Sequence, residues 1–391
     1  MDKNFTALKE HALKILRSAC REGGILAVAE TEETENYTRV WARDSVMTGL
    51  AGLQWDDEVV TEGLRQSLNT LRANQSPVGF MPSNVSLGTD AKVSYGGTAG
   101  RVDATLWYII GVLKYYDKTK DGAFFDEHLQ ALEKAIDLTY AWEYNGKHLI
   151  YTPLSGNWAD EFPLHGYTLY DNCLRLWGLK LYDQVLASIK YKQKKEQIES
   201  TIKTNFFIKE EQKGVYHPTL YNRQITSYPF LLAGFNPARY YTFFDAGGNG
   251  LALSRGLYDD QQIKDFASYI ESLYQEINIQ LAPAFWPVIT DDDPLAFDLQ
   301  SNYAYSFKNK PYHFHNGGIW PIMNGWLALG LSDRGQKEIC QNMIEEYSKF
   351  EINENYQFSE YISADFKKPG GKINLCFSAS GALMMLKAIE I

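Results

Sequence analysis

Apolar positions recur along the chain at the three-to-four spacing of an amphipathic helix, interrupted by polar loops. The pattern predicts helices over 5–21, 44–54, 57–73, 102–116, 123–143, 168–187 and 190–206. Further helices follow over 248–256 and 259–276, from Pro321 to about 330, and over 333–349 and 375–390. In the first, Leu8, Leu13, Ile15, Leu16 and Ala19 fall near one face, and Gly23-Gly24 breaks the run. An acidic loop, Glu30 to Glu35, comes next. Long polar loops fill 77–100, 283–311 and 351–374, and such loops inside a compact domain are often functional. Residues 218–237 are mixed, and a short hairpin fits at 145–152. No βαβ series and no all-β spacing is present.

The expected fold class is therefore all-α: helix, long loop, helix, short turn, repeated from end to end. No Gly/Ser-rich or Pro-rich linker divides the chain, which predicts a single domain over 1–391. Helix pairs closing on themselves would place the long loops on one face.

Composition adds constraints. With 45% hydrophobic and 22% charged residues the chain reads as an ordinary soluble globular protein. Aromatics are high at 14%, with 26 Tyr and 9 Trp; they serve a core, and their flat faces also stack on the C–H face of a sugar. A formal charge of −10 argues against a nucleic-acid surface. The basic run Lys190 to Lys195 reads as a solvated helix face. The four cysteines are scattered without a CxxC spacing, as expected of buried free thiols in a reducing compartment rather than disulfides or metal ligands. No signal-peptide core and no run of about 18 apolar residues occurs, so no membrane is expected and the cytoplasm is the default location.

Candidate chemistry concentrates in 155–172, where Trp158, Asp160, Glu161, Phe162, His165 and Asp171 share a loop and a helix start. Aromatic faces beside carboxylates suit a polar, ring-shaped ligand. Glycoside hydrolysis needs one group to protonate the leaving oxygen and a second to activate water or attack carbon. The loop-borne acids near aromatics are Asp44, Asp103, Asp160, Glu161, Asp171, Glu360 and Asp365. Asp160 lies between Trp158 and Phe162, whose cover would desolvate it as an acid catalyst requires. Glu360 lies in a similar setting, between Phe358 and Tyr361. Asp160 as a helix cap and Glu360 as an exposed loop acid remain open on this pattern. His313 and His315 lack a third ligand at helical spacing, and Gly317-Gly318 lacks a P-loop lysine. Hydrogen bonds from His315 and Asn316 to sugar hydroxyls fit that segment better than a metal. Arg43-Asp44 forms either a fork gripping adjacent hydroxyls or a structural ion pair at a helix start.

Four segments in order resemble the alkaline/neutral invertases, a family of inverting glycoside hydrolases, and also the glucosidase module of glycogen-debranching enzymes. They are Asn36 to Leu53 with Val40-Trp41-Ala42-Arg43-Asp44; Gly100-Arg101-Val102-Asp103-Ala104-Thr105-Leu106-Trp107; His315-Asn316-Gly317-Gly318-Ile319-Trp320-Pro321; and Glu360-Tyr361 followed by Phe377 to Gly381. The Asp160-to-Tyr167 loop occupies the place of the family's acid segment. The resemblance implies an (α/α)6 toroid, the six-hairpin glycosidase fold, with long functional loops on one face. It implies Asp160 as general acid, Glu360 as general base, and Arg43, Asp44, Asp103, His315 and Trp320 around a glucose subsite. Trp41, Trp158 and Asn316 are added as substrate contacts. It departs where Glu161-Phe162 replaces two basic residues and Ser359 replaces a proline, neighbours that bear on the leaving-group subsite.

The expected function is hydrolysis, with inversion, of an α-glucoside or related small saccharide such as a sucrose-like one, without metal or organic cofactor. A toroid epimerase would instead use His165, His313 or His315, and a phosphorylase would need a basic cluster near the base. A non-catalytic carbohydrate-binding protein would keep Trp41, Trp158 and Trp320 without needing both Asp160 and Glu360.

Overall fold

The structure, a computed structural model, describes residues 2–29, 37–209, 212–223 and 226–390. The acidic loop Glu30 to Glu35 and Asn36 lie outside the described residues. The helices are α1 (Lys3–Ala19), α2 (Ala42–Gln54), α3 (Glu58–Ala73), α4 (Val102–Thr119), α5 (Gly122–Ala141), α6 (Leu169–Val185) and α7 (Lys192–Phe206). They continue with α8 (Pro218–Arg223), α9 (Ala246–Ser254), α10 (Asp260–Ile277), α11 (Ala296–Ser301), α12 (Pro321–Ser332), α13 (Lys337–Asn353) and α14 (Cys376–Glu390). Every expected helix is present. The short α8 and α11 are additional, in segments read as mixed or loop.

The helices divide by how much of their surface is apolar. A helix apolar all round must be buried all round. In α12 every position is buried, and α4, α9 and α14 are nearly so. The amphipathic α1, α3 and α10 bury one stripe each. Packing follows: α2 contacts α4, α4 contacts α6, α6 contacts α9, α9 contacts α12, α12 contacts α14, and α14 returns to α2. Outside them α3 covers α2, α5 covers α4, α7 covers α6, α13 covers α12 and α1 covers α14. The α9–α12 contact needs a glycine: a Cβ at Gly250 would lie 2.6 Å from the Trp326 carbonyl oxygen and the Leu327 nitrogen. The outer helices start at polar caps, with Asp57 and Asp121 accepting from Val60 and Phe124 amides and an Asp259–Gln262 capping box on α10.

Among the described residues the strands form short antiparallel sheets of two or three strands that tie loops together, such as Arg39–Trp41 with Asn84–Ser86 and Val93–Ser94, and Tyr167–Thr168 with Gly234–Phe235 and Tyr240–Tyr241. The hairpin suggested at 145–152 does not form. Tyr144, Gly146 and His148 take φ of 47°, 66° and 82°, which curl the chain where a strand needs extended backbone.

The basic run is solvated at Lys190, Lys192 and Gln193, and part of it also makes ion pairs. Lys190 and Lys194 reach Glu133 and Glu143 of the neighbouring α5 segment, and Lys195 reaches Asp183 of α6. With few apolar positions to bury (Ile198, Ile202 and Phe206), α7 docks substantially through ion pairs. At the centre of them Glu143 bridges Lys194 at 2.9 Å and the buried Arg175 at 2.7 Å.

All four cysteines are free thiols, with Cys173, Cys340 and Cys376 buried. Among the described residues no helix is long and apolar enough to cross a membrane.

Removing one partner of a buried ion pair leaves the other charge uncompensated. Glu143→Ala is expected to destabilise the protein by about 3–5 kcal/mol, measured as a lower urea midpoint at unchanged slope.

Candidate active site

The starts of the inner helices gather acids. Asp44, Asp103 and Asp171 lie in the first turns of α2, α4 and α6, and Asp245 caps α9. Unpaired N–H groups and the positive dipole end make this the favoured end for a carboxylate. Arg43 joins the first two helices: its Nη1 donates to Asp103 Oδ2 at 2.8 Å, and its Nε lies 3.8 Å from Asp44 Oδ2. Burial works against the charged guanidinium, but Asp103 and then Asp44 outweigh it and hold its pKa above the ordinary value. Burial pushes Asp44 up to about 6 against the opposing pull of Arg43. Asp245 is pushed up to about 7 by burial. Asp171 is driven to about 8, first by burial and then by the charge of Asp103, although its Oδ2 accepts from Thr152 at 2.8 Å and Thr168 at 2.6 Å.

Above this layer opens a cleft of about 970 Å³. The beginnings of α2, α12 and α14 supply Trp41, Arg43, Asp44, Trp320 and Phe377, and the loop before α6 supplies Trp158, Asp160 and Glu161. The 302–315 loop supplies Lys308, Phe314 and His315, and the loop before α14 supplies Glu360, Tyr361 and Lys372.

Glu360 is buried on this wall. Its Oε1 accepts from the Tyr37 hydroxyl at 3.0 Å and its Oε2 from the Lys372 amide at 3.3 Å. Burial raises its pKa, while Lys308, Tyr37 and Lys372 favour the carboxylate. Its backbone donates to Lys372 O at 2.7 Å, and Ile362 pairs with Ile319, so the segment is tied to the start of α12. Gly371, at φ 75°, permits the close passage: a Cβ there would collide with the Glu360 carboxylate.

Asp160 faces the same cleft in a different environment. Its side chain is 38% exposed, and Oδ2 pairs with Arg101 Nη2 at 2.6 Å. The expected aromatic cover is incomplete: Phe162 stacks on Phe285 in the core at 4.4 Å, and Trp158, which lines the cleft, stacks on Phe285 at 5.6 Å. The adjacent Glu161 is the desolvated acid of the loop: burial raises its pKa, partly offset by Lys308.

Trp158, His315 and Trp320 form one aromatic wall, with His315 stacked on Trp320 at 5.3 Å and Trp158 edge-on to both. Burial holds the His315 pKa well below its ordinary value, which leaves a neutral ring. Trp320 Nε1 donates to Phe314 O at 2.9 Å.

Two expected substrate contacts stand elsewhere. Asn316 is buried outside the cleft lining, its amide bonded to the Ile289 backbone and Asn309 O, which clamps the loops together. Asp103 lies beneath Arg43 and does not line the cleft. Asp365 pairs with His313 at 3.6 Å, outside the cleft lining. His165 is also away from it, against Asn236 and Tyr241. Among the described residues no group of three His, Cys, Asp or Glu side chains could hold a metal ion.

Tyr37, Arg101 and Lys308 were not singled out from the sequence. The first two lie inside the quoted motifs, next to Thr38 and Val102. Lys308 had no local signal, since an exposed loop lysine looks like any other.

The sequence model of the alkaline and neutral invertase family matches residues 175–372, just over half of the 391-residue chain. The chain belongs to the alkaline and neutral invertase family, a family of glycoside hydrolases. The match includes His315, Trp320 and Glu360 and stops short of Asp160. Neutral/alkaline invertase 1, mitochondrial, from Oryza sativa subsp. japonica is 28% identical over 129 residues, which is 31% of this chain and 18% of that protein. Alkaline/neutral invertase E, chloroplastic, from Arabidopsis thaliana is 26% identical over 125 residues, again 18% of its length. Among solved structures, a GH63 mannosylglycerate hydrolase from Thermus thermophilus superposes with a TM-score of 0.69 at 14% identity, covering 96% of this chain and 99% of that one. A rhamnosidase from Klebsiella oxytoca gives 0.62 at 13% identity, covering 98% of this chain and 63% of that chain. The invertase-family chain therefore shares its helical fold with glycosidases.

Asp171 gives the site a stability signature. Its folded pKa of about 8 lies far above the ordinary 3.8, so between those values the folded state holds a proton that the unfolded state has lost. The associated stability is fully present below the lower value and is lost as pH rises through the upper one. Asp171→Asn should flatten the fall in Tm of the wild type between about pH 5 and pH 9, read by calorimetry across that range.

Proposed function

We propose that this invertase-family chain is a single-domain (α/α)6 toroid that hydrolyses an α-glucoside or related small saccharide with inversion at the anomeric carbon. The observation carrying the reading is that Asp160 and Glu360, from opposite halves of the chain, line one cleft beside the Arg43–Asp44 floor and the tryptophan wall. Burial, and to a lesser degree the charge of Asp160, raises the Glu360 pKa. The closed order of helix contacts, α2 through α14 and back, supports the toroid.

In this reading Glu360 is the general base. Burial makes its carboxylate a stronger proton acceptor, and Tyr37 and Lys372 aim its two oxygens. Asp160 donates a proton to the leaving oxygen, and Arg101 fixes its position. Inversion needs room for a water between the carboxyl groups, about 6.5–9.5 Å. Arg43, Asp44, Trp41, Trp158, His315 and Trp320 line the glucose subsite, with Asp103 acting through Arg43. The Thermus mannosylglycerate hydrolase holds glucose in one structure and Tris and D-glycerate in another, which supports a small saccharide substrate here. An epimerase would need a histidine pair in the cleft; among the described lining residues His315 stands alone, buried and neutral. A non-catalytic sugar-binding protein would have no use for two acids in one cleft.

Purified protein screened against α-linked disaccharides should release reducing sugar, and NMR should show the β-anomer first. The α-anomer appearing first would instead assign retention. Asp160→Asn should lower kcat by about 10²–10⁴ with KM largely kept; near-normal turnover of an unactivated substrate refutes the role. Tyr37→Phe removes a donor that favours the Glu360 carboxylate. The base then ionises at higher pH, so the acid limb of the kcat/KM profile should move upward, and an unmoved limb argues against Glu360 as the base.

A further inference from the structure

A second cavity, of about 370 Å³, lies at the other end of the inner helices. Its walls come from the last turns of α2, α4, α9 and α12, whereas the cleft takes the first turns of α2, α12 and α14. The volume is at the lower end of the range for small-molecule sites, about 300–1,000 Å³.

In the lining the Trp177 and Trp326 rings meet edge to face at 5.6 Å, next to Leu50 and Leu329. Cations (Lys114, Lys118, Arg255) outnumber carboxylates (Asp117, Asp333) among the lining residues. Arg255 stacks its guanidinium over Trp177 at 4.6 Å, and Lys114 stands nearby on α4. Neither cation enters an ion pair among the described residues. Of the other charges in the lining, Asp117 pairs with Lys120 at 2.9 Å and Lys118 with Asp56 at 2.5 Å, while Asp333 enters no ion pair among the described residues. Burial lowers the Lys114 pKa; Asp117 opposes this, while Arg255 and Lys118 reinforce it. Burial likewise pushes Arg255 down to about 10, although Asp333 favours its charged form. Three polar atoms in these walls, Gln54 Oε1, Arg255 Nε and Trp326 Nε1, are buried without a hydrogen-bond partner among the described residues.

Cations at helix C-termini often only complement the helix dipoles. That account leaves the cavity, the paired tryptophans and the unpartnered Arg255 and Trp326 N–H donors without a role. An anion between Lys114 and Arg255 would offset the burial of both, since buried charges are stable when paired.

We propose that this cavity binds a small oxyanion with a flat apolar body, such as an aromatic carboxylate. The oxyanion lies between Lys114 and Arg255, and the body lies against the Trp177–Trp326 wall. The site is separate from the hydrolytic cleft and does not depend on the reading of Asp160 and Glu360.

Titration of the intact protein with benzoate, followed by calorimetry and tryptophan fluorescence, tests it. Benzoate should bind saturably and perturb the fluorescence, and inorganic phosphate, lacking the apolar body, should bind more weakly. Lys114→Met should weaken benzoate by about tenfold or more. Ser254→Leu, which fills the cavity and keeps both cations, should abolish binding; thermal melts confirm that each variant is folded. Asp160→Asn should bind as the wild type does. Absence of saturable binding, binding unchanged in folded Lys114→Met and Ser254→Leu, or binding lost in Asp160→Asn would each overturn the proposal.

Discussion

The ion pair between Arg43 and Asp103 is the interaction on which the site depends. It joins the first turns of two neighbouring inner helices, with Asp44 on the guanidinium's other side. Two buried acids at adjacent helix starts would repel each other and face a desolvation penalty; one arginine compensates both. Its position sets the floor of the cleft, and the incomplete compensation of Asp44 leaves that group near the range where it titrates.

Everything above that floor is loop, held by local devices instead of by regular structure. Asn316, Asn309 and Asn302 each use a side-chain amide to bind a loop carbonyl, and the Ile319–Ile362 bridge ties the Glu360 segment to the start of α12. Below the floor, nearly all-buried helices pack at glycine-limited distance, as at Gly250. The combination places the cleft acids on loops but anchors them to rigid elements. The same inner helices end at the second cavity, where Lys114 and Arg255 stand near the helix C-termini, whereas Asp44, Asp103 and Asp171 lie in the first turns at the other end. Helix dipoles favour that distribution.

The helices were readable because burial on one or all faces leaves a periodic mark that depends only on nearby positions. The cleft was readable where its residues fell in short motifs: Arg43-Asp44, His315 with Trp320, and the loop carrying Trp158 and Asp160. Reading failed where a side chain's surroundings come from distant segments. Phe162 and Trp158 flank Asp160 in sequence, yet both stack on Phe285, more than a hundred positions away, and Asp160 pairs with Arg101. Asn316 looked like a sugar contact, and its bonds to Ile289 and Asn309 could not be read from its own segment. The ion pairs of Lys190, Lys194 and Lys195 were not readable because Glu133, Glu143 and Asp183 lie on other elements.

By itself, then, the sequence determined the number and placement of the main helices, the membership of the invertase family, and the short list of acids and aromatics from which a site is built. Periodicity and motif are local properties, and local properties survive in a linear string. Only the tertiary structure decided which acid is desolvated and which is ion-paired, that Glu360 is held by Tyr37, that Asp103 serves Arg43 beneath the cleft, and that a second cavity exists at the far end. Those are matters of dielectric, charge and contact between residues far apart in the chain, and they take values only once the helices have packed.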